Sequence, residues 1–291
     1  MVTTTIRSHD YQSTLESSMR VNWRVEDIIG GDKRLDFTKP FLPESLAGVH
    51  SIACLNNAEK LKLNQIRGNS YLYLFCLVEE FILPAVIDHV RQTGYEDIYA
   101  TQAFLHFAEE ESKHIRLFRR FSEEFAMGFG SQCYCIGPAQ EIANTVMAHS
   151  SLGVALMILH IEWLTQRHYL ESVRDDQALD PQFCSLLRHH WLEEAQHTRL
   201  DTLMIQTIAQ NLDDSAIEAG IEDYFKIVAL LNGGLKMQVQ LDLDSLSQAT
   251  GRTFSDQERQ DIQTRQEKSY QWTFLGSGMT HQNFRKTLGQ L

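Results

Sequence analysis

Two segments of the chain carry the same pattern, Glu-Glu-x-x-His, and each lies within a stretch of helical periodicity. The first segment ends at His114 and the second ends at His197. On an α-helix, residues three positions apart lie on one face, about one turn from each other. Glu111 with His114, and Glu194 with His197, can therefore each present a carboxylate and an imidazole to one metal ion. The repeat favours a helical bundle that brings the two segments together.

An apolar run that contains glutamate precedes each segment. The run before the second segment contains Glu162, and the run before the first contains Glu79 and Glu80. A carboxylate in such surroundings is costly to bury unless it is paired or bound to metal. We favour Glu80, with Glu79 as the alternative, because an aromatic and an aliphatic residue follow Glu80 as they follow Glu162, and because its face also carries Asn69 and Tyr73. One glutamate from each of two helices, with Glu-x-x-His from each of the other two, is the ligand set of dimetal four-helix bundles.

Three further residues are candidates on the same helices. His190, Glu194 and His197 stand at positions i, i+4 and i+7, within one narrow stripe, so His190 is predicted to be a ligand as well. Glu110 and Glu193 each precede a ligand glutamate. Metal-bound histidines usually donate their other ring N–H to a carboxylate or carbonyl. We predict this supporting role for Glu110 and Glu193, with a simple helix-surface position as the alternative, and no catalytic residue beyond the metal ligands.

The chain is predicted to be all-α, a ferritin-like four-helix bundle with additional helices, because no strand-like alternation persists. The four bundle helices are expected at about 60–92 with a kink at Pro84, 97–127, 138–175 with a break near Gly153, and 181–211. Two more are expected at 214–240, interrupted at Gly233-Gly234, and from a capping box at Ser255 to about 274. Residues 1–58 are predicted to be an irregular segment that packs on the bundle and contains one short helix. Residues 59–211 are predicted to be the dimetal-binding bundle, and 212–291 additional helices of the same domain.

Composition narrows the classes of partner. The net charge of −12 argues against binding to nucleic acid or to an anionic membrane surface. No secretory signal is visible in the first residues, and a membrane span is not expected, because charged residues and a proline interrupt the longest apolar stretch. The five cysteines have no scaffold-like spacing, which suggests a reducing compartment. We therefore expect a cytoplasmic protein.

The ordered pattern Glu, Glu-x-x-His, Glu, His-x-x-x-Glu-x-x-His resembles that of the p-aminobenzoate N-oxygenase family, over about residues 65–205. Members of that family are ferritin-like helical enzymes that activate O2 and oxidise aromatic amines. The residues that match the family's ligands are Glu80, Glu111, His114, Glu162, His190, Glu194 and His197. The resemblance implies a non-haem di-iron oxygenase or oxidase that acts on a small organic substrate, with N-oxygenation of an arylamine as the first reaction to consider.

Such a reaction needs two iron ions (manganese being the alternative), O2, a small-molecule substrate and an external electron donor, either a reductase or a ferredoxin. Four carboxylates would balance the charge of two divalent ions, and imidazole suits iron. The substrate pocket is expected beside the metals, lined by Phe104, Phe107, Ile158 and Leu187. A homodimer is the candidate assembly. The alternatives on the same scaffold are an aldehyde-deformylating oxygenase, a manganese catalase, an iron-storage or ferroxidase protein, and a radical-generating reductase subunit.

Overall fold

The computed structural model describes residues 2–93 and 97–291, and in these ranges the chain is helical without any β-strand. The helices are α1 (Val2–Ser18), α2 (Val25–Ile28), α3 (Glu44–Ala47), α4 (Asn57–Thr93), α5 (Ile98–Phe129), α6 (Ala139–Met147), α7 (Ser151–His168), α8 (Pro181–Ala209), α9 (Asp214–Thr250), α10 (Asp256–Gln271), α11 (Ser277–Met279) and α12 (Gln282–Leu288). Short π-helical segments follow α7 and α10. The predicted all-α fold class is confirmed.

Four of the long helices form the central bundle. Helix α4 packs along α5, and α7 packs along α8, as the two equivalent ligand spacings predict. Helix α9 lies against both α4 and α7 and covers the outside of the bundle. The core between these helices is continuous and apolar, with side chains such as Leu72, Phe118 and Leu156 fully buried. This arrangement, with the acidic motifs inside the bundle, is the ferritin-like architecture that the sequence predicts.

Local capping signals explain where the bundle helices begin and end. The Asp97 carboxylate accepts hydrogen bonds from two backbone N–H groups at the start of α5. The Asp180 carboxylate caps α8 in the same way, and Pro181 occupies the first turn of that helix. Helix α5 ends at Gly130, whose φ of 82° is the left-handed conformation that glycine adopts readily. The predicted capping box at Ser255 is present at the start of α10.

The structure contains one of the two predicted helix interruptions. The third bundle helix breaks near Gly153, between α6 and α7, where Ser150 caps α7. Gly153 itself lies within α7 and is a packing residue, because a Cβ there would lie 2.8 Å from the Cβ of Asp223 and 3.0 Å from the carbonyl oxygen of Gly220. Helix α9 continues through Gly233 and Gly234 to Thr250. Glycine lowers helix propensity by only about 1 kcal/mol, which packing along a long helix outweighs.

Substitution by alanine should change the stability of the protein in opposite directions at Gly153 and at Gly233, because only Gly153 has close neighbours. Gly153→Ala should lower the free energy of unfolding by about 1–3 kcal/mol, because α7 would be pushed away from α9. Gly233→Ala should raise it by roughly 0.5–1 kcal/mol, since no heavy atom lies within 4 Å of the added methyl group and alanine is the better helix former. Urea unfolding of the two variants beside the parent protein measures both. Equal effects of the two substitutions would contradict the packing role of Gly153.

The N-terminal segment is more ordered than predicted. Residues Val2–Ser18 form α1, which packs on α5 and α8. The short helices α2 and α3 and the loops around them complete the segment. The hydrophobic pattern of α1 is weak, so its contact with the bundle, and not its own sequence, accounts for the helix. The prediction of an irregular segment with one short helix is therefore corrected.

Helix α4 is long and apolar enough to cross a membrane by length and composition alone. In the structure, 67% of its most apolar window is buried inside the protein. Its apolar side chains are thus used to pack the bundle interior. The glutamates of this helix lie within the same apolar window. The direction in which each one points therefore indicates whether it can bind metal inside the bundle.

Candidate metal centre

Seven acidic and imidazole side chains meet inside the bundle, and each is at most 2% exposed. They form two groups in which the candidate ligand atoms lie within 4.8 Å of one another. The first group consists of Glu79, His114, His190 and Glu194, and the second consists of Glu111, Glu162, Glu194 and His197. The two groups share Glu194, whose Oε1 lies 3.3 Å from His114 Nδ1 and whose Oε2 lies 2.9 Å from His197 Nδ1.

The glutamate of α4 that lies in the first ligand group is Glu79. The prediction that favoured Glu80 is therefore wrong. Glu79 Oε1 lies 3.1 Å from His190 Nε2 and 3.6 Å from His114 Nδ1. Glu80 points outward and accepts a hydrogen bond from Arg119 at 2.8 Å. Neighbouring residues on a helix are separated by about 100°, so only one of the pair can face the interior.

The polar face of α4 on which the choice of Glu80 was based does not face the ligand groups. Tyr73 lies on this face, and its hydroxyl donates a hydrogen bond to the carbonyl oxygen of Ile136 at 2.7 Å. The Asn69 side chain is close to Cys135 on the same loop. This face of α4 therefore packs against the loop that follows α5, and the more apolar line through Phe75 faces the metal-binding groups.

Two of the histidines have their rings fixed by carboxylates from the opposite helix. His114 Nε2 lies 2.8 Å from Glu193 Oε2, and His197 Nε2 lies 3.0 Å from Glu110 Oε2. Both rings thereby direct Nδ1 toward the ligand groups: His197 Nδ1 is 2.9 Å from Glu111 Oε1. Glu193 on α8 thus contacts the histidine of α5, and Glu110 on α5 contacts the histidine of α8, while their supporting role in metal binding stays a prediction. Each carboxylate can hold its histidine in the tautomer that leaves Nδ1 free to bind metal.

No pattern in the sequence predicts the outer contacts of His114. The indole of Trp23 stacks on its ring, with 5.9 Å between centroids and 10° between planes. Lys113 Nζ lies 4.2 Å from the Trp23 ring centroid and 2.5 Å from Glu193 Oε1. Trp23 belongs to the N-terminal segment, far from the motifs in sequence. It shields one side of the site from solvent.

Burial and crowding set the charge state of the metal-free groups. Burial, with the negative charge of neighbouring Glu194, raises the pKa of Glu79 and of Glu162 well above the usual range. Burial also raises the pKa of Glu111, to about 7. Burial alone would raise the pKa of Glu194 too, but the adjacent His190 and His197 outweigh it and hold that pKa low. Without metal, the cluster therefore retains protons at neutral pH.

The residues present fit a pair of divalent ions. Two buried ligand atoms, Glu79 Oε2 and His114 Nδ1, have no hydrogen-bond partner within the described residues. Unpaired buried polar atoms are expensive, and a metal ion that binds them removes the cost. Four carboxylates and three imidazoles, with Glu194 shared, are the oxygen and nitrogen donors that iron and manganese accept. The site can hold two such ions.

Metal affinity should rise with pH in the neutral range. A carboxylate must lose its proton to bind metal, and Glu111 does so only as the pH passes about 7. Between about pH 6 and pH 8 we therefore expect the apparent affinity for Fe(II) to increase by roughly tenfold per pH unit for each proton displaced. Anaerobic competition with a chelator of known pH dependence measures this. An affinity that does not change over this range would contradict protonation of the metal-free cluster.

One of the four residues predicted to line a substrate pocket, Ile158, lines a cavity between the bundle helices. A cavity of about 130 Å³ is lined by Ile158 but not by Phe104, Phe107 or Leu187. Phe107 instead stacks on His197, with ring centroids 4.0 Å apart, and fills the space on the side of α5. The wall of the cavity comes from α4, α7 and α8, where small residues leave room.

One acidic residue near the site was missed by sequence reasoning. Asp201 is fully buried, and neither of its carboxylate oxygens has a hydrogen-bond partner in the part of the chain that the structure describes. It follows His197 by four positions, so it continues the stripe of His190, Glu194 and His197 along α8. The helical spacing that identified His190 could have found it.

Comparison with known proteins finds similar solved structures at low sequence identity. No protein-family model matches the chain, and neither does any curated protein. Among solved structures, a variant of an R2-like ligand-binding oxidase with a Mn/Fe cofactor aligns at 15% identity and a TM-score of 0.49, covering 90% of this chain and 92% of the other. An Fe/Fe form aligns with the same values. A further Mn/Fe form aligns at 16% identity with a TM-score of 0.48, covering 90% and 91%.

Proposed function

We propose that this protein is a dimetal oxidase that uses O2 to oxidise a small organic molecule. The observation that carries the proposal is the pair of buried ligand groups joined by Glu194. When bound there, two redox-active ions would together supply the electrons that reduce O2. As the residue that the two groups share, Glu194 would hold both ions.

The chain's own residues have separate tasks in this scheme. Glu79, Glu111, Glu162 and Glu194 would neutralise the charge of the ions. Glu110 and Glu193 orient the imidazoles of His197 and His114 through hydrogen bonds to Nε2. Phe107 and Trp23 stack on these two rings and keep water from the site. A dry interior limits side reactions of activated oxygen.

Iron is the metal that we propose first, with manganese in one or both positions as the alternative, because the donor set of carboxylates and imidazoles suits both. An external one-electron donor, a reductase or a ferredoxin, would return the ions to the divalent state after turnover. The ligand residues themselves cannot supply these electrons. The donor and the metal are therefore both parts of the proposal.

The finer proposal is that the enzyme is an oxygenase and that the substrate is an amine, oxidised at nitrogen. This rests on the order of ligands, in which His190 precedes Glu194 by four residues and His197 by seven. His190 lies within the first ligand group, with Nε2 3.1 Å from Glu79 Oε1. The proposal is supported by the two groups of candidate ligands, which together contain the seven residues of this order. Glu79 takes the position that the resemblance to the N-oxygenases gave to Glu80.

The test is O2 uptake by Fe(II)-loaded protein with a panel of aryl amines, aldehydes and fatty acids. We expect O2 consumption and a product that has gained oxygen, with a hydroxylamine or nitro compound from an amine. Release of formate from an aldehyde would mean that the reaction is deformylation and not N-oxygenation. Ferric mineral without an organic product would reject the oxidase proposal in favour of iron storage. The matched control is Glu162→Gln, which removes one ligand and should abolish the O2 reaction.

A further inference from the structure

A buried tyrosine–histidine pair links α4 to α7 outside the two ligand groups. The hydroxyl oxygen of Tyr71 lies 2.8 Å from Nδ1 of His168, and both residues are buried. Neither residue belongs to a ligand group, and neither has a task in the proposed function. A phenol that is hydrogen-bonded to an imidazole near a redox-active metal site has a chemistry of its own, because it can give up an electron and a proton together.

The neighbouring hydrogen bonds fix the tautomer of His168. Its Nε2 lies 3.0 Å from Oγ of Ser277, and the Ser277 hydroxyl donates its own hydrogen to the carbonyl oxygen of Thr273 at 2.7 Å. The serine oxygen can therefore only accept from the ring, so Nε2 of His168 carries the ring proton. Nδ1 is then the acceptor, and the Tyr71 hydroxyl donates to it. The phenol proton thus has a base in direct contact.

A sequence of packed aromatic rings connects Tyr71 to the metal ligands. The ring centroid of Tyr71 lies 4.7 Å from that of Phe75, and the Phe75 ring meets the His190 ring edge-on with 5.5 Å between centroids. Both separations are in the range of direct ring contact. His190 belongs to the first ligand group, with Nε2 3.1 Å from Glu79 Oε1. Electron transfer between buried groups is faster along a short, closely packed path, and this path contains a single intervening side chain.

A second buried tyrosine–histidine pair has the same bonding without this path. The hydroxyl of Tyr224 on α9 lies 2.8 Å from Nδ1 of His160, whose Nε2 is bonded to a backbone carbonyl oxygen. Within the described residues, the rings that contact Tyr224 are those of His160, Phe225 and Phe284, and none of these is a candidate metal ligand. Both pairs can stabilise the fold, whereas the pair of Tyr71 also connects to the metal centre.

We propose that Tyr71 is a redox-active residue that gives one electron to the oxidised metal centre when no substrate reacts, while His168 accepts its proton. This inference rests on the proposed function, because the metal centre supplies the oxidant. The O–H bond of Tyr71 breaks and an N–H bond forms at Nδ1 of His168. The electron passes by way of Phe75 and His190 and reduces the metal centre by one unit. The products on the chain are a neutral tyrosyl radical and an imidazolium.

The proton transfer is favourable although His168 is a weak base. Burial lowers the pKa of His168 to about 3, but an oxidised phenol is a far stronger acid than an imidazolium. The external one-electron donor then returns an electron to Tyr71, and the proton moves back from His168. One oxidising equivalent is thereby removed that would otherwise attack the apolar side chains around the ligands, such as Phe75 and Phe107.

The experiment looks for the radical directly. Fe(II)-loaded protein without organic substrate is mixed with O2, frozen at intervals and measured by electron paramagnetic resonance. We expect the signal of a neutral tyrosyl radical, which narrows in protein made with ring-deuterated tyrosine. Its coupling to the exchangeable proton on His168 should disappear in D2O, a signature that a purely structural hydrogen bond would not give.

Three variants assign the signal. Tyr71→Phe keeps the ring and should lose the radical, whereas Tyr224→Phe removes the hydroxyl of the matched pair and should keep it. His168→Gln still accepts a hydrogen bond but cannot take up a proton, so it should lower the radical yield. Iron content and helicity of each variant confirm that the site is intact. A tyrosyl signal that survives Tyr71→Phe, or that is lost equally in Tyr224→Phe, would overturn the assignment.

A second readout tests the protective role. After repeated exposure to O2 without substrate, Tyr71→Phe should carry more added oxygen atoms per chain than Tyr224→Phe, as measured by intact mass. Equal oxidation of the two variants would contradict protection by Tyr71.

The outcome is separable from that of the proposed function. O2 uptake and substrate oxidation without any tyrosyl radical would support the oxidase and reject the role of Tyr71. If iron-loaded protein takes up no O2, the oxidase is rejected, and H2O2 in place of O2 still supplies oxidising equivalents to the metal centre. A radical that then depends on Tyr71 would support this inference, and its absence with H2O2 as well would overturn it.

Discussion

Replacing Glu194 by glutamine should remove both metal ions from the protein. Its carboxylate belongs to both ligand groups, and an amide carries no charge and offers only one acceptor oxygen. Loss of a residue that merely supports a ligand typically lowers metal affinity by about 10–100-fold, so loss of a shared ligand should exceed that. We expect less than about one ion per chain after loading, measured by elemental analysis of desalted protein.

The control for this variant is Glu193→Gln, which changes the adjacent residue. Glu193 hydrogen-bonds to His114 and Lys113 but lies in neither ligand group. Glutamine can still accept a hydrogen bond from His114, so metal should be retained with reduced affinity. Retention of both ions by Glu194→Gln would show that the carboxylate does not bridge them.

The second large effect is expected on α4. Glu79→Gln should lose the ion of the first ligand group and retain that of the second, because Glu79 contributes only to the first. Glu80→Gln should retain both, because that side chain is paired with Arg119 at 2.8 Å and is partly exposed to solvent. Iron content per chain, measured on the two variants side by side, distinguishes them. Loss of metal from Glu80→Gln with full retention by Glu79→Gln would return the ligand assignment to Glu80.

The contrast between these two glutamates shows which parts of the site could be predicted from the sequence. The spacing of Glu111 with His114 and of Glu194 with His197 is a property of one helix, so the sequence alone predicts that each pair shares a face. The rotation of α4 about its axis depends on its neighbours. One contact that accompanies the observed rotation is the hydrogen bond from Tyr73 to the carbonyl oxygen of Ile136 in the loop after α5, and no local pattern encodes it.

The same reasoning applies to the fold. The ends of α5 and α8 are set by local capping at Asp97 and Asp180, and the sequence predicts them to within a few residues. The role of Gly153 depends on the approach of α9, which is distant in sequence. Helix α1 likewise forms against the bundle without a strong pattern of its own. Contacts between distant segments account for the elements that were not predicted.

Asp201 is a different case, because a local pattern does place it. It continues the stripe of His190, Glu194 and His197 by one more turn of α8. A single aspartate after a metal motif is common on helix surfaces, and only the structure shows that this one is fully buried with both oxygens unpaired. The helical spacing thus identifies which residues share a face with the ligands, and burial in the structure shows which of these residues are functional candidates.

The most direct test of the dimetal assignment is the number of metal ions that the parent protein binds. Anaerobic titration with Fe(II), followed by desalting and elemental analysis, gives this number without assuming any substrate or activity. The two ligand groups that share Glu194 predict saturation at about two iron ions per chain. Saturation at one ion or fewer, with the protein still folded and helical, would contradict the dimetal centre.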